Sequence, residues 1–313
     1  MFNYTIRRVA ISLITVLGIA TLIFLIIYMI PGDPAYIILG DRATPESVKA
    51  LHSSLGLDRP LAVQYLAWLK GLVRFDFGRS LYSDMPIGPE LAVRLFRTLE
   101  LICLAILGSS LLGIPLGILA AAGRKSTDFI ISMLSIIGLS SPSIVVGPII
   151  AFLMGVLLNI LPSSGFVPLT ENPAKHILFL IMPTLSLAFF SLGIITRMSR
   201  SSVIDNMRKD YARTALAKGL SKRQVLFQHV LKNSMIPIVT LIGLRIGVML
   251  GGTVITESLF NWPGLSTFLI DAAYRRDYPV VQAIVFVVAT VFVFVNLIVD
   301  LLSGLFDPRI SYE

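Results

Sequence analysis

The sequence has 313 residues, of which 55% are hydrophobic and only 14% charged, and its mean hydropathy is +0.84. Because about a quarter of the residues in an average soluble domain are charged, this composition excludes a soluble globular protein. The net charge of +8 would suit nucleic-acid binding, but the basic residues flank apolar runs, as they do in the cytoplasmic loops of membrane proteins.

Six apolar segments are long enough to cross a bilayer, whose ~30 Å core needs about 20 helical residues. They lie at about 9–30, 98–122, 129–158, 177–196, 235–256 and 280–302. The first follows Arg7 and Arg8, as the core of a signal peptide does. It is 22 uncharged residues long and ends in IPGDP rather than a cleavage site, so we interpret it as a retained span. The sequence therefore predicts an all-α membrane protein with six transmembrane helices.

The distribution of Lys and Arg predicts that both termini are cytoplasmic. This orientation places 14 basic residues inside: Arg7, Arg8, Arg124, Lys125, Arg309 and the nine of the 197–237 loop. The two short outside loops hold Lys175, Arg275 and Arg276. The expected parts are the first span (1–30), an extracytoplasmic region (31–97), the main transmembrane domain (98–304) and a cytoplasmic tail (305–313).

The 31–97 region is nearly neutral, with eight basic and seven acidic residues. It opens with the turn cluster Pro31-Gly32-Asp33-Pro34. Thr44 before Pro45 predicts a helix start, and that helix should run to Gly56. A second helix, after Pro60, places several apolar residues on one face: Leu61, Tyr65, Trp68, Leu69 and Leu72. We interpret the region as a packed cap, with direct substrate contact as the alternative.

Glycine and proline mark two of the spans. Gly113-xxx-Gly117 in the second span favours close approach of another helix. Pro142 and Pro148 in the third predict a kink, a tilt or an interfacial piece. In the last outside loop, Trp262 and Tyr278 are candidates for interface anchors.

The 197–237 loop is the polar centre of the sequence. Its nine Lys and Arg stand against Asp205 and Asp210, giving a net charge of +7: Arg197, Arg200, Arg208, Lys209, Arg213, Lys218, Lys222, Arg223 and Lys232. Gly219 ends the periodic run 211–218, as a glycine beyond a helix terminus does. Ser221 and Gln224 form a capping box that opens a second helix. The loop is therefore predicted to be helix, glycine stop, helix.

Four ionisable residues fall within or near the ends of spans: Glu100, Arg245, Glu257 and Asp300. A charge at the bilayer centre costs at least ~2.5 kcal/mol, so these residues are candidates for lining or gating a pathway. The alternative is that Glu100 and Glu257 lie at the outer interface, Asp300 lies near the inner one, and Arg245 pairs with an acid in the bundle.

The sequence offers little support for catalysis. The stretch 117–126, GILAAAGRKS, has one residue too many for a phosphate-binding loop and ends a span instead of following a strand. His52, His176 and His229 lack metal-ligand spacing, Cys103 is the one cysteine, and no serine lies in a Gly-x-Ser-x-Gly elbow. We expect no enzyme activity, no metal site and no cofactor bound by this chain.

Several motifs resemble the permeases of bacterial ABC importers. Residues 210–220, DYARTALAKGL, look like the EAA loop of the dipeptide, oligopeptide and nickel branch. Three further stretches are similar to that family: Pro31–Pro34, Phe260–Gly264 and Arg276–Val280, while Asp307-Pro-Arg309 resembles its C-terminal ending. The resemblance implies a type I importer permease whose 98–304 segment is the ABC permease domain.

The resemblance implies that the loop couples the permease to a cytoplasmic ATPase. Arg213-Thr214-Ala215 stand at the Glu-Ala-Ala positions, so a glutamate-mediated contact is not expected. The implied coupling residues are Asp210, Tyr211, Arg213, Thr214, Ala215, Ala217, Lys218 and Gly219. Small Ala215 and Ala217 would let the helix end enter a pocket, and the cations would suit an acidic rim.

The implied partners are a second homologous permease, two ATPase subunits that hold ATP and Mg, an extracytoplasmic binding protein and membrane lipid, without nucleic acid. The implied mechanism is alternating access in the bacterial inner membrane, with short peptides as cargo. Nickel, glutathione or another small solute is the alternative cargo. An autonomous secondary transporter or channel would carry inverted repeats and mid-membrane charges, of which Arg245 is the one sign; a membrane enzyme is a further alternative.

Overall fold

The computed structural model describes residues 2–29, 34–39, 43–56 and 58–306, and its regular structure there is helical. Most of the predicted turn cluster Pro31–Pro34 and the Asp307–Arg309 ending lie outside the described residues. The first seven helices are α1 Phe2–Met29, α2 Pro34–Leu39, α3 Pro45–Leu55, α4 Leu61–Val73, α5 Ile87–Ala122, α6 Lys125–Ser140 and α7 Ser143–Ile150. The next seven are α8 Pro173–Met207, α9 Asp210–Ala217, α10 Lys222–Val225, α11 Leu231–Gly252, α12 Val254–Leu259, α13 Leu265–Tyr274 and α14 Tyr278–Phe306.

Five helices in the described part of the chain are long and apolar enough to cross a membrane, and the number is six when one bent pair is counted as a span. The bent pair is α6 with α7 and the π-helical segment Ala151–Leu157, and it is bent by 103° at its break. Pro142 causes the break, because it has no backbone N–H and disfavours a helical conformation at the preceding residue. Ser141 accordingly adopts φ −101° and ψ 103°. The predicted six-span architecture with an irregular third span is confirmed.

The chain divides into two compact units, and α1, α5 and α14 each contribute residues to both. The first unit contains residues 1–9, 98–263 and 294–313. In it α5 lies against α8, and a Cβ added at Gly117 would stand 2.5 Å from Ser199 Cβ and 2.5 Å from the Thr196 carbonyl oxygen. The predicted close approach at Gly113-xxx-Gly117 is therefore confirmed, with α8 as the partner helix.

The second unit contains residues 10–97 and 264–293. Its core joins α5, α13 and α14 through buried apolar side chains: Ile87, Leu91, Leu265, Ala272, Val280, Ala283 and Ile284. Asp277 is 4% exposed and accepts hydrogen bonds from the Ser80 hydroxyl and the Leu81 N–H. Since a buried carboxylate requires such donors, Asp277 holds the 79–86 loop against the start of α14.

The predicted helices of the 31–97 region are present. Thr44 caps α3 with Pro45 in its first turn, and Gly56 ends it at φ 70°. On α4, Leu72 is buried, whereas Leu61 is 37% exposed, so the predicted apolar face is covered along only part of its length. Tyr65 hydrogen bonds with Thr21 of α1 at 2.8 Å. The helix therefore lies alongside α1, which fixes its orientation.

Candidate functional site

The 197–237 loop forms a compact helical platform. Helix α9 packs on a small apolar core made by side chains that are each at most 7% exposed: Val203, Ala212, Ala215, Val225, Leu226 and Val230. Ala215 therefore faces the interior of its own chain, and its small size allows α9 to pack closely on α8. Ala217, by contrast, is exposed, and the expectation that the end of α9 fits into a partner's pocket stays a prediction.

The opposite face of α9 is polar and open to solvent. It presents the remaining predicted coupling residues: Asp210, Tyr211, Arg213, Thr214, Ala217 and, just beyond the helix, Lys218 and Gly219. Arg213 lies 3.9 Å from Asp210 in an exposed i,i+3 pair. Such a pair contributes little in water, so both charges are available to a partner.

Gly219 stops α9 as predicted, with φ +88°. Its N–H donates to the Leu216 carbonyl at 3.0 Å, and the Leu220 N–H donates to the Ala215 carbonyl at 3.3 Å. These bonds satisfy carbonyls that the helix end would otherwise leave free. The predicted capping box is also present, with the Gln224 N–H donating to Ser221 Oγ and the Ser221 N–H donating to Gln224 Oε1.

Two polar contacts that the sequence analysis missed fasten this platform to the long helices. The Tyr211 hydroxyl donates to Asn206 Oδ1 at 2.9 Å, and Asn206 Nδ2 donates to the Ser202 carbonyl at 2.9 Å. Ser202 and Ser234 bond reciprocally, each hydroxyl donating to the other's carbonyl at 3.0 and 3.2 Å. Helices α8, α9 and α11 are thereby joined. The spacing of Ser199, Ser202 and Asn206 on one face of α8 was the available signal.

A third contact ties α8 to α6. The Arg200 guanidinium forms a bidentate ion pair with Asp128, with Nη2 2.7 Å from Oδ2 and Nε on Oδ1. Bidentate pairs fix geometry as well as adding energy. The pair therefore fixes α6 against the C-terminal half of α8.

The four ionisable residues of the spans have different surroundings. Glu257 is 0% exposed and accepts a hydrogen bond from Thr98 Oγ1 at 2.7 Å, so it lies in the interior. Glu100 lies 2.9 Å from Nε2 of the buried His176, whose Nδ1 lies 2.7 Å from the Val167 carbonyl. Asp300 pairs with Arg8 at 2.7 Å. The structure thus supplies partners for three of the four.

Arg245 is the fourth, and it has no acidic partner among the described residues. Its guanidinium carbon lies 4.7 Å from the centroid of the Phe190 ring, and its Nε atom is buried without a hydrogen bond. The expectation that it pairs with an acid in the bundle is therefore wrong within this chain.

Trp262 is likewise different from the expected interface anchor. It is 1% exposed, with its ring 4.9 Å from Phe166 and 5.5 Å from the His176 imidazole. Buried aromatic pairs of this kind stabilise a core, so the tryptophan holds the 163–167 segment against the N-terminal end of α8. Within the described residues, no group of three or more His, Cys, Asp or Glu could hold a metal ion.

Comparisons with known proteins agree with this arrangement. Residues 113–312 match the family model described as "Binding-protein-dependent transport system inner membrane component", and residues 1–87 match the N-terminal model of the same system. The dipeptide transport system permease of Escherichia coli K12 is 40% identical over 338 aligned positions, covering 100% of both chains.

Other relatives carry other names. The glutathione transport system permease of Salmonella choleraesuis is 37% identical over 314 positions, covering 100% of both chains. A probable peptide ABC transporter permease of Sinorhizobium fredii is 36% identical over 310 positions, covering 99% of each. A solved amino acid ABC transporter has a similar fold, with a TM-score of 0.52 and 18% identity over 71% of this chain and 94% of that one.

Proposed function

The chain belongs to the family of binding-protein-dependent transport system inner membrane components, and we propose that the cargo it passes is a short peptide. It is a permease subunit of an ABC importer and a multi-pass inner membrane protein. It has no enzymatic activity of its own, since ATP is hydrolysed by separate subunits of such systems. An ATPase and a substrate-binding protein are its general partners.

The similarity to peptide permeases along the full length of the chain is the observation that carries the proposal. Glutathione is the second candidate cargo, and the match to glutathione permeases over the full length favours it specifically. Both candidates share the chemistry of amide-linked residues with free carboxylates.

The exposed face of α9 is proposed to dock on the cytoplasmic ATPase. Its open polar surface, net positive loop and fixed attachment through Tyr211 and the Ser202–Ser234 pair support this role. A docking helix must transmit force without bending at its base, and hydrogen bonds at both neighbouring helices provide that stiffness. Closure of two ATPase subunits around ATP and Mg would then displace α8 and α11 together.

The full assembly is proposed to contain a second, homologous permease and two ATPases, with both termini of this chain in the cytoplasm. Pathway or gating roles for Glu100, Glu257 and Asp300 stay predictions. Their partners in this structure, His176, Thr98 and Arg8, show how each charge is compensated.

The test is uptake by proteoliposomes that contain this chain with its companion permease and ATPases. We expect ATP-dependent accumulation of labelled di- and tripeptides when the loaded binding protein is added outside. Liposomes with the lone chain and an imposed ion gradient are the control, and we expect no uptake there. Gradient-driven uptake by the lone chain would overturn the importer assignment, and preferential uptake of glutathione or nickel would overturn the peptide cargo.

A further inference from the structure

Arg245 of α11 has no acidic partner among the described residues. This points to a second binding element in the protein, besides the exposed face of α9. Arg245 is the fifteenth of the 22 residues of α11, and Phe190 is the eighteenth of the 35 residues of α8. Both helices are candidate spans, and the two side chains meet with the guanidinium carbon 4.7 Å from the ring centroid. The contact therefore lies within two candidate spans.

The pair itself is half-buried, and exposed apolar side chains lie next to it along each helix. Leu244 and Val248 on α11 are 48% and 58% exposed, and Leu185 and Phe189 on α8 are 46% and 36% exposed. If lipid covered this strip, the arginine would stand at the edge of hydrocarbon, where a charge is costly. The charge of Arg245 is thus better matched to a polar path or to another subunit than to lipid.

The guanidinium is also incompletely satisfied. The Phe190 ring stabilises its positive charge but accepts no conventional hydrogen bond, and the buried Nε has no partner. A guanidinium presents a fork of N–H donors that fits a carboxylate with two parallel hydrogen bonds. A carboxylate therefore fits the donors of this guanidinium.

We propose that Arg245 and Phe190 form a subsite that binds the carboxylate of the peptide cargo as it crosses, with the aromatic ring beside the terminal side chain. This inference rests on the proposed peptide function. A cargo carboxylate suits the position better than a fixed acid of a second permease, because a fixed buried ion pair is costly to break and would have to be broken in each cycle. A travelling anion arrives and leaves with the cycle.

The first experiment compares the complete importer with Arg245→Gln, Arg245→Lys and Phe190→Leu variants in proteoliposomes. We expect Arg245→Gln to lower peptide uptake at least tenfold and Arg245→Lys to keep part of it, because lysine retains the charge without the fork. Phe190→Leu should lower uptake less. Arg59→Gln is the matched control, because it removes an exposed arginine that belongs to neither α8 nor α11. We expect it to leave uptake unchanged.

The state of assembly of the Arg245→Gln variant shows whether the anion belongs to the cargo or to a neighbouring subunit. Size-exclusion chromatography should show the Arg245→Gln chain in an intact complex with its companion permease and ATPases. Loss of the complex would assign the anion to a neighbouring subunit and overturn the subsite, as would uptake equal to wild type. Failure of the wild-type importer to carry any peptide would instead overturn the proposed function.

The second experiment identifies the carboxylate directly. Importer held in nanodiscs without binding protein is titrated with a labelled dipeptide and with its C-terminal amide. We expect the wild-type chain to bind the free acid at least tenfold more tightly than the amide, and the Arg245→Gln chain to bind the two equally. Equal binding of acid and amide by the wild-type chain would overturn the proposal.

Discussion

Individual residues decide how firmly the coupling helix is held. Tyr211 belongs to the motif that resembles the EAA loop, yet the structure directs its hydroxyl to Asn206 of the same chain. Asn206 is 5% exposed and the Tyr211 side chain reaches back over the end of α8. Tyr211 therefore acts as a positioning residue that sets the angle of α9.

We expect Tyr211→Phe to loosen α9 without unfolding the platform. The Asn206 oxygen would lose its donor, and leaving a buried polar group unsatisfied costs ~1–3 kcal/mol. Hydrogen exchange of the α9 amides should accelerate by about five- to 150-fold, and uptake per ATP hydrolysed should fall. Tyr274→Phe, at a tyrosine that is 86% exposed, is the matched control and should change neither readout. Unchanged exchange in α9 would contradict the positioning role.

The sequence predicted least well which side chains point into the core and which point outward. Periodicity within a helix of eight residues cannot say whether Ala215 packs inward or outward, because that depends on how α8 and α10 fold back around α9. Trp262 was assigned to the interface by residue type, but Phe166 and His176 enclose it after folding. The absence of an acidic partner for Arg245 could not be predicted for the same reason, because contacts between helices depend on the tertiary structure.

At the scale of elements, local signals were sufficient. Thr44 and Ser221 start helices, Gly56 and Gly219 end them, and Pro142 breaks the third span, each where the sequence predicts. These positions act through backbone geometry and nearby hydrogen bonds, which depend on few neighbours. The π-helical segments at 151–157 and 226–230 had no such signal, because they follow from packing along the whole helix.

The glycine stop after α9 can be tested as an element boundary. A Cβ at Gly219 would meet nothing within 4 Å. Glycine is therefore favoured here only because the backbone φ is +88°. Gly219→Val forces a β-branched residue into the left-handed region, where L residues cost ~1–2 kcal/mol or more. We expect membrane insertion to be intact and peptide uptake to fall more than tenfold.

Gly219→Asn is the informative partner of that variant, because asparagine visits the left-handed region readily. It should retain most of the uptake, although it adds a side chain of similar size. Wild-type uptake in Gly219→Val, or equal loss in both variants, would show that backbone conformation at residue 219 has no part in coupling.

For the whole molecule, charge and hydropathy predict the number of crossings but leave the role of the 31–97 region open. In the structure, Leu69, Leu72 and Val73 of α4 line the same cavity as Leu13, Val16 and Leu17 of α1. The end of α4 therefore packs beside the apolar stretch of α1, a contact between parts of the chain that composition alone does not predict.

The cluster of nine basic residues around α9 predicts the orientation of the whole chain, with the 197–237 loop in the cytoplasm. It can be checked in a Cys103→Ser background, which removes the sole cysteine, by placing single cysteines at exposed positions, Arg208→Cys and Lys175→Cys. In intact spheroplasts a membrane-impermeant maleimide should label the cysteine at 175 and not that at 208. After permeabilisation both should react. The reverse pattern would place α9 outside the cell, where no ATPase could reach it. That result would overturn both the predicted topology and the proposed coupling role.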